Sequence, residues 1–178
     1  AGALTIFRAI RHRNFEVFAM AEQGLCAWAL GQLDEAEKHL DRAATIARRI
    51  RSVRGEVSAV SYQCIVLRTR GDLGRSLARC RALRRLSTTT PSQEAVSYLL
   101  EGEALSAMGA LDEARACLEA GGVRARIEAA IALARHGDKA LQADLVNSLS
   151  RIRISSLDEQ GLLGLLRAYG LAGLRMGR

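Results

Sequence analysis

Apolar residues along this chain recur every three or four positions, and several such runs close on a glycine. The stretch GQLDEAEKHL at residues 31–40 returns, lightly edited, as GALDEARACL at residues 109–118. With Gly31 and Gly109 as marks, Gly71 in RGDLGRSLARC and Gly137 in HGDKALQADLV fall in line, at steps of 40, 38 and 28 residues. Small residues stand seven before three of these marks (Gly24, Cys64, Gly102) and five after (Ala36, Ser76, Ala114). Larger ones stand four before (Leu67, Leu105) and nine after (Leu40, Cys80, Leu118).

Those offsets have a physical reading. A glycine reaches the left-handed backbone that ends one helix and lets the next begin almost at once, so the two lie antiparallel. Small side chains let the two backbones approach, and the larger ones fill the seam at helical spacing. A hairpin of this kind leaves an apolar face that only stacking on its neighbours buries. The pattern predicts helices over 1–12, 14–29, 33–50, 54–69, 73–87, 91–108, 111–120, 123–135, 139–152 and 157–169. Two starts carry capping signals: Thr90, Pro91 and Gln93 in STTTPSQEAV, and Ser156 with Glu159 in SSLDEQ. The Thr-rich link at 87–91 and the glycine pair at 121–122 are the expected joints.

The arrangement resembles the tetratricopeptide repeat, a helix–turn–helix unit of about 34 residues, on the strength of GQLDEA, GDLGRS and GALDEA and their small and large partners. The fold class this implies is all-α: antiparallel helix-hairpin repeats stacked as a right-handed TPR-like α-solenoid. Units are expected at about 14–52, 53–90, 91–122 and 123–154, with partial helices at both ends, in one repeat domain spanning 1–178. The chain departs from the family in having no proline at its unit ends and Tyr98 as the one aromatic eleven residues before a marked glycine. Steps near 40 are similar to the longer-helix units of signalling proteins. A HEAT-like or irregular hairpin array is the competing reading.

Composition agrees with helices. The chain of 178 residues has one Pro and 4% aromatics, and residues that lose little freedom in a helix dominate. No apolar run approaches the roughly 18 residues that span a bilayer, so a cytoplasmic protein with no membrane partner is expected. Beginning at Ala1 within what reads as half a hairpin, it is expected to be a fragment of a larger protein. Cys26, Cys64, Cys80 and Cys117 show no CxxC spacing and fall at or beside packing positions, which predicts small core residues. No phosphate loop, nucleophile turn or metal-binding motif is present; neither enzyme activity nor cofactor is expected. Adjacent acids such as Asp34 and Glu35 diverge on a helix and complement its positive end.

Charge adds one feature. The net charge is +7, yet residues 42–85 hold twelve Arg against Glu56 and Asp72 alone. Leu73, Leu77, Cys80 and Leu83 read as a buried stripe, leaving Arg75, Arg79, Arg81, Arg84 and Arg85 on outer faces. Such a strip suits phosphate or carboxylate, so an auxiliary nucleic-acid scaffold and an acidic protein surface both stand as readings. By the resemblance, the first helix of each unit lines a groove, which gives Phe18, Leu25, Trp28, Ser61, Ile65, Arg68, Leu99 and Glu103 as the partner-binding positions. Trp28 reads either as an anchor for a ligand or as packing between hairpins. The resemblance implies a non-catalytic interaction or ligand-sensing module of a larger, bacterial-type signalling or transcriptional regulator. Its partner would be a protein or peptide segment, another domain of the same parent included.

Overall fold

The structure, a computed structural model, describes residues 2–10, 12–86, 91–123, 126–127 and 147. Gly137, the capping residues Thr90 and Ser156 and the helices expected over 123–135, 139–152 and 157–169 lie outside the described residues. Seven helices are assigned among those described: α1 (Gly2–Ala9), α2 (Arg13–Ala29), α3 (Leu33–Arg49), α4 (Val53–Arg70), α5 (Leu73–Leu86), α6 (Pro91–Ala107) and α7 (Leu111–Ala120). There is no strand among them. The chain divides into two compact units, Ala1–Thr89 and Thr90–Arg178.

Helix starts follow local chemistry. The Nδ1 of His12 accepts from the Phe15 N–H at 3.4 Å, Ser52 Oγ from Gly55 N–H at 3.3 Å and Asp72 Oδ1 from Arg75 N–H at 3.2 Å, each satisfying an amide the helix cannot. Helices α3 and α7 start without a side-chain cap; acids in their first turns, Asp34 and Glu35, Asp112 and Glu113, face the positive helix end instead.

Helix ends share one closure. Gly31 N–H donates to Trp28 C=O and Gln32 N–H to Ala27 C=O, both at 2.9 Å. The same two bonds recur at Arg51 and Ser52, at Gly71 and Asp72, and at Gly109 and Ala110. This crossed pair needs a left-handed residue at its centre. Gly31, Gly71 and Gly109 supply it with φ of 76°, 87° and 80°, and Arg51 with φ of 56°. Three of the four marked glycines are thus the tight bends, and the bend between α3 and α4 uses an arginine that no pattern in the chain announces.

In the first unit α2 packs on α3, α3 on α4 and α4 on α5, while α2 also reaches α4 and α1 rests on α2. Alanines Ala21, Ala36, Ala43, Ala44, Ala47 and Ala59 lie in this core with Val17, Met20, Leu40 and Val66; short side chains bring the helix axes close. In the second unit α6 packs on α7.

The seam register is the one the offsets predict. A Cβ on Gly24 would stand 2.6 Å from Leu40 Cγ, and one on Gly102 would stand 2.6 Å from Leu118 Cγ. Both leucines are fully buried, each contributing roughly 1.5–3 kcal/mol. The α4–α5 hairpin fills the equivalent positions with Cys64 and Cys80, both buried free thiols. Contact with Cys80, together with burial, pushes the Cys64 thiol well above its ordinary range. Glycine with leucine, or cysteine with cysteine, are two ways of filling one gap. Cys26, by contrast, is exposed, and Cys117 half-buried.

Candidate functional site

The first helices of the first unit's two hairpins, α2 and α4, share a face that carries most of the expected groove positions. On α2, Phe18, Leu25 and Trp28 are half-buried, as are Ile65 and Arg68 on α4. Three cross-helix contacts brace this face. The Arg54 guanidinium carbon lies 5.7 Å from the centre of the Phe18 ring, within range of a cation–π attraction. Tyr62 OH donates to Glu22 Oε1 at 2.9 Å. The Trp28 indole N–H donates to Thr69 Oγ1 at 2.8 Å, and that hydroxyl donates to Ile65 C=O at 2.9 Å.

Trp28 therefore packs against the core and hands its one polar atom to the next hairpin. Its ring is fixed while part of its surface faces solvent, an arrangement that costs little further ordering if a ligand covers it. Burial, and then the bond to Glu22, raise the Tyr62 hydroxyl above its ordinary value, so it stays protonated and donating at neutral pH.

Ser61 sits differently. It is buried, and its hydroxyl donates to Val57 C=O of its own helix at 2.8 Å. In the second unit Leu99 and Glu103 are half-buried on α6, beside the more exposed Val96. Three contributors to the α2–α4 face escaped the sequence reading: Glu22, Arg54 and Tyr62. A signal existed for two of them, since Glu22 and Tyr62 both stand nine residues before a bend glycine.

The basic strip on α5 does not act as one surface. Arg75 reaches back to Glu37 of α3 at 2.8 Å and to Asp72 at 3.3 Å, and Arg79 lines a small hollow with Glu37, Asp41 and Gln63. Arg81 and Arg85 are exposed and Arg84 is half-buried. From α4, Arg70 joins the same acids, at 2.7 Å from Asp34 and 3.3 Å from Glu37. The buried stripe of α5 is Ser76, Cys80 and Leu83, with Leu73 and Leu77 half-buried; Ser76 Oγ donates to Cys64 C=O at 2.9 Å.

Among the described residues no group of three His, Cys, Asp or Glu side chains is placed to hold a metal ion, and no helix is long and apolar enough to cross a membrane. The chain matches no protein-family model and no curated protein. What the α2–α4 face offers is a rigid, mainly apolar surface with one cation at each end, Arg54 and Arg68.

Proposed function

We propose that this chain is a non-catalytic docking module of the tetratricopeptide type, its hairpins stacked as a right-handed α-solenoid within a larger cytoplasmic signalling or transcriptional regulator. On this reading the α2–α4 face grips a peptide segment with apolar anchors, and occupancy shifts the balance between states of the parent protein. The observation that carries the reading is the bracing of Trp28 by Thr69 across two hairpins, which holds a partly exposed aromatic in a fixed pose. Enrichment of Trp at binding hot spots is the general ground for choosing it. The nucleic-acid reading is weaker because Arg75 is turned onto Glu37 of α3 and Arg79 lines a hollow that two α3 carboxylates share.

Panning the whole chain against a display library of random peptides tests this. Enriched peptides with apolar anchors are expected, and Trp28→Ala should weaken them by on the order of 2 kcal/mol, roughly thirtyfold. Thr69→Val keeps the indole whole and removes the hydroxyl that accepts its N–H, separating contact from bracing. A folded Trp28→Ala chain that binds the enriched peptides unchanged defeats the proposal.

A further inference from the structure

Helix α3 carries its acids, Asp34, Glu35, Glu37 and Asp41, in its first half and its arginines, Arg42, Arg48 and Arg49, in its second. Asp34, Glu37 and Asp41 lie on one flank, where Arg70 and Arg75 pair with the first two and Gln63 Nε2 donates to Asp41 at 2.6 Å. Arg42 and Arg49 lie on the other, roughly 100° around the helix at 3.6 residues per turn. Here a cleft of about 520 Å³ opens between the first turn of α2 and the C-terminal half of α3.

Its carboxylates are already engaged. Glu16, which is buried, accepts from Arg13 at 2.8 Å, and Asp41 accepts from Gln63. Arg42 and Arg49 are both exposed, with the half-buried Ile46 between them, and neither pairs with a carboxylate among the described residues. The cleft thus presents two guanidinium groups two helical turns apart, on the order of 10 Å, over an apolar floor.

Among the described residues, an exposed flank of α7 has the complementary pattern. On α7, Asp112 and Glu119 are also seven residues apart, with Ala116 between them, and all three are exposed. The Asp112 side chain is 98% open to solvent, and its ion pair with Arg115, three residues on along the same helix, is long at 3.4 Å. Arginine on one helix meeting carboxylates on another is also how α5 meets α3 within the first unit.

We propose that the Arg42–Ile46–Arg49 flank of α3 seats α7 of a second copy of this chain, with Asp112 and Glu119 facing the two guanidinium groups. The contact joins two different surfaces, so copies associate head to tail, in a ring where the rotation closes and in an open chain where it does not. It also weakens with salt, because the charges are exposed.

Sedimentation of the whole 178-residue chain across a concentration series decides it. At about 0.1 M salt the weight-average mass should climb above that of a single chain; about 1 M salt, which cuts the screening length from roughly 10 Å to roughly 3 Å, should abolish the climb. Arg42→Glu with Arg49→Glu, or Asp112→Arg with Glu119→Arg, should each raise the midpoint concentration at least about tenfold. Mixing the two reversed chains should restore assembly, since each supplies the other's missing sign. All four positions are exposed, and circular dichroism checks that each variant keeps its helices. If one loses them, Arg42→Gln with Arg49→Gln takes its place and should show the same loss. A wild-type chain that stays single at low salt, or reversed chains that fail to assemble when mixed, overturns the proposal.

Discussion

Replacing Gly24 with alanine sets two effects of opposite sign against each other. In an exposed helix the change would stabilise by about 0.5–1 kcal/mol, because glycine loses more backbone freedom on folding. Here the new methyl would stand 2.6 Å from Leu40 Cγ, 2.8 Å from Leu40 Cδ2 and 3.2 Å from the Ala36 carbonyl oxygen. Leu40 is fully buried among close-packed alanines and has no open space to swing into, so the hairpin must part. Overpacking of this kind costs typically about 1–3 kcal/mol, which leaves a net loss of roughly 1–2 kcal/mol. Urea denaturation followed by circular dichroism measures it. A double-mutant cycle with Leu40→Ala sharpens the test. That change alone should cost about 2–5 kcal/mol, but the Gly24→Ala methyl then partly fills the hole, so the double variant should cost less than the two singles together by about 0.5 kcal/mol or more. A Gly24→Ala chain more stable than the parent, or strictly additive costs, would show that the two helices are not in contact at this register.

Two further predictions concern the bends and the thiol pair. Arg51→Gly should stabilise by up to about 1 kcal/mol, since a left-handed arginine costs about 1–2 kcal/mol and glycine's added freedom returns part of it, whereas Gly31→Ala should destabilise by about 1 kcal/mol; equal signs in thermal melts would contradict the closure drawn for Arg51. Cys80→Leu alone sets a leucine against Cys64 and should cost about 1–3 kcal/mol, while Cys64→Gly with Cys80→Leu recreates the pairing of the other hairpins and should recover most of it. A double variant as unstable as the single one in urea would refute equivalence of the three seams.

Much of the fold was legible because its determinants are local. Gly31, Gly71 and Gly109 mark bends whose hydrogen bonds all fall within six residues, and the spacing of Gly24 from Leu40 encodes a contact directly. Arg51 was not legible as a bend residue: an L-residue can hold a left-handed conformation at a cost, and nothing in its type records that. The site was harder to read. Offsets placed Ser61 in the groove, but a serine within a helix can turn its hydroxyl onto the carbonyl four residues back, as this one does. The outer-face reading of Arg75 missed Glu37 because that pairing joins residues 38 apart, and only the packing of successive hairpins sets it. The bond of Tyr62 to Glu22 escaped for the same reason.

Each bend is stitched by carbonyls of the helix it ends, so the run from Gly31 to Gly71, 40 residues long, carries its own fastening. Copying or excising such a run in frame leaves the remaining bends intact. Genes for chains like this can therefore grow or shrink by whole helix pairs, with natural selection acting on the number of pairs as readily as on any single codon.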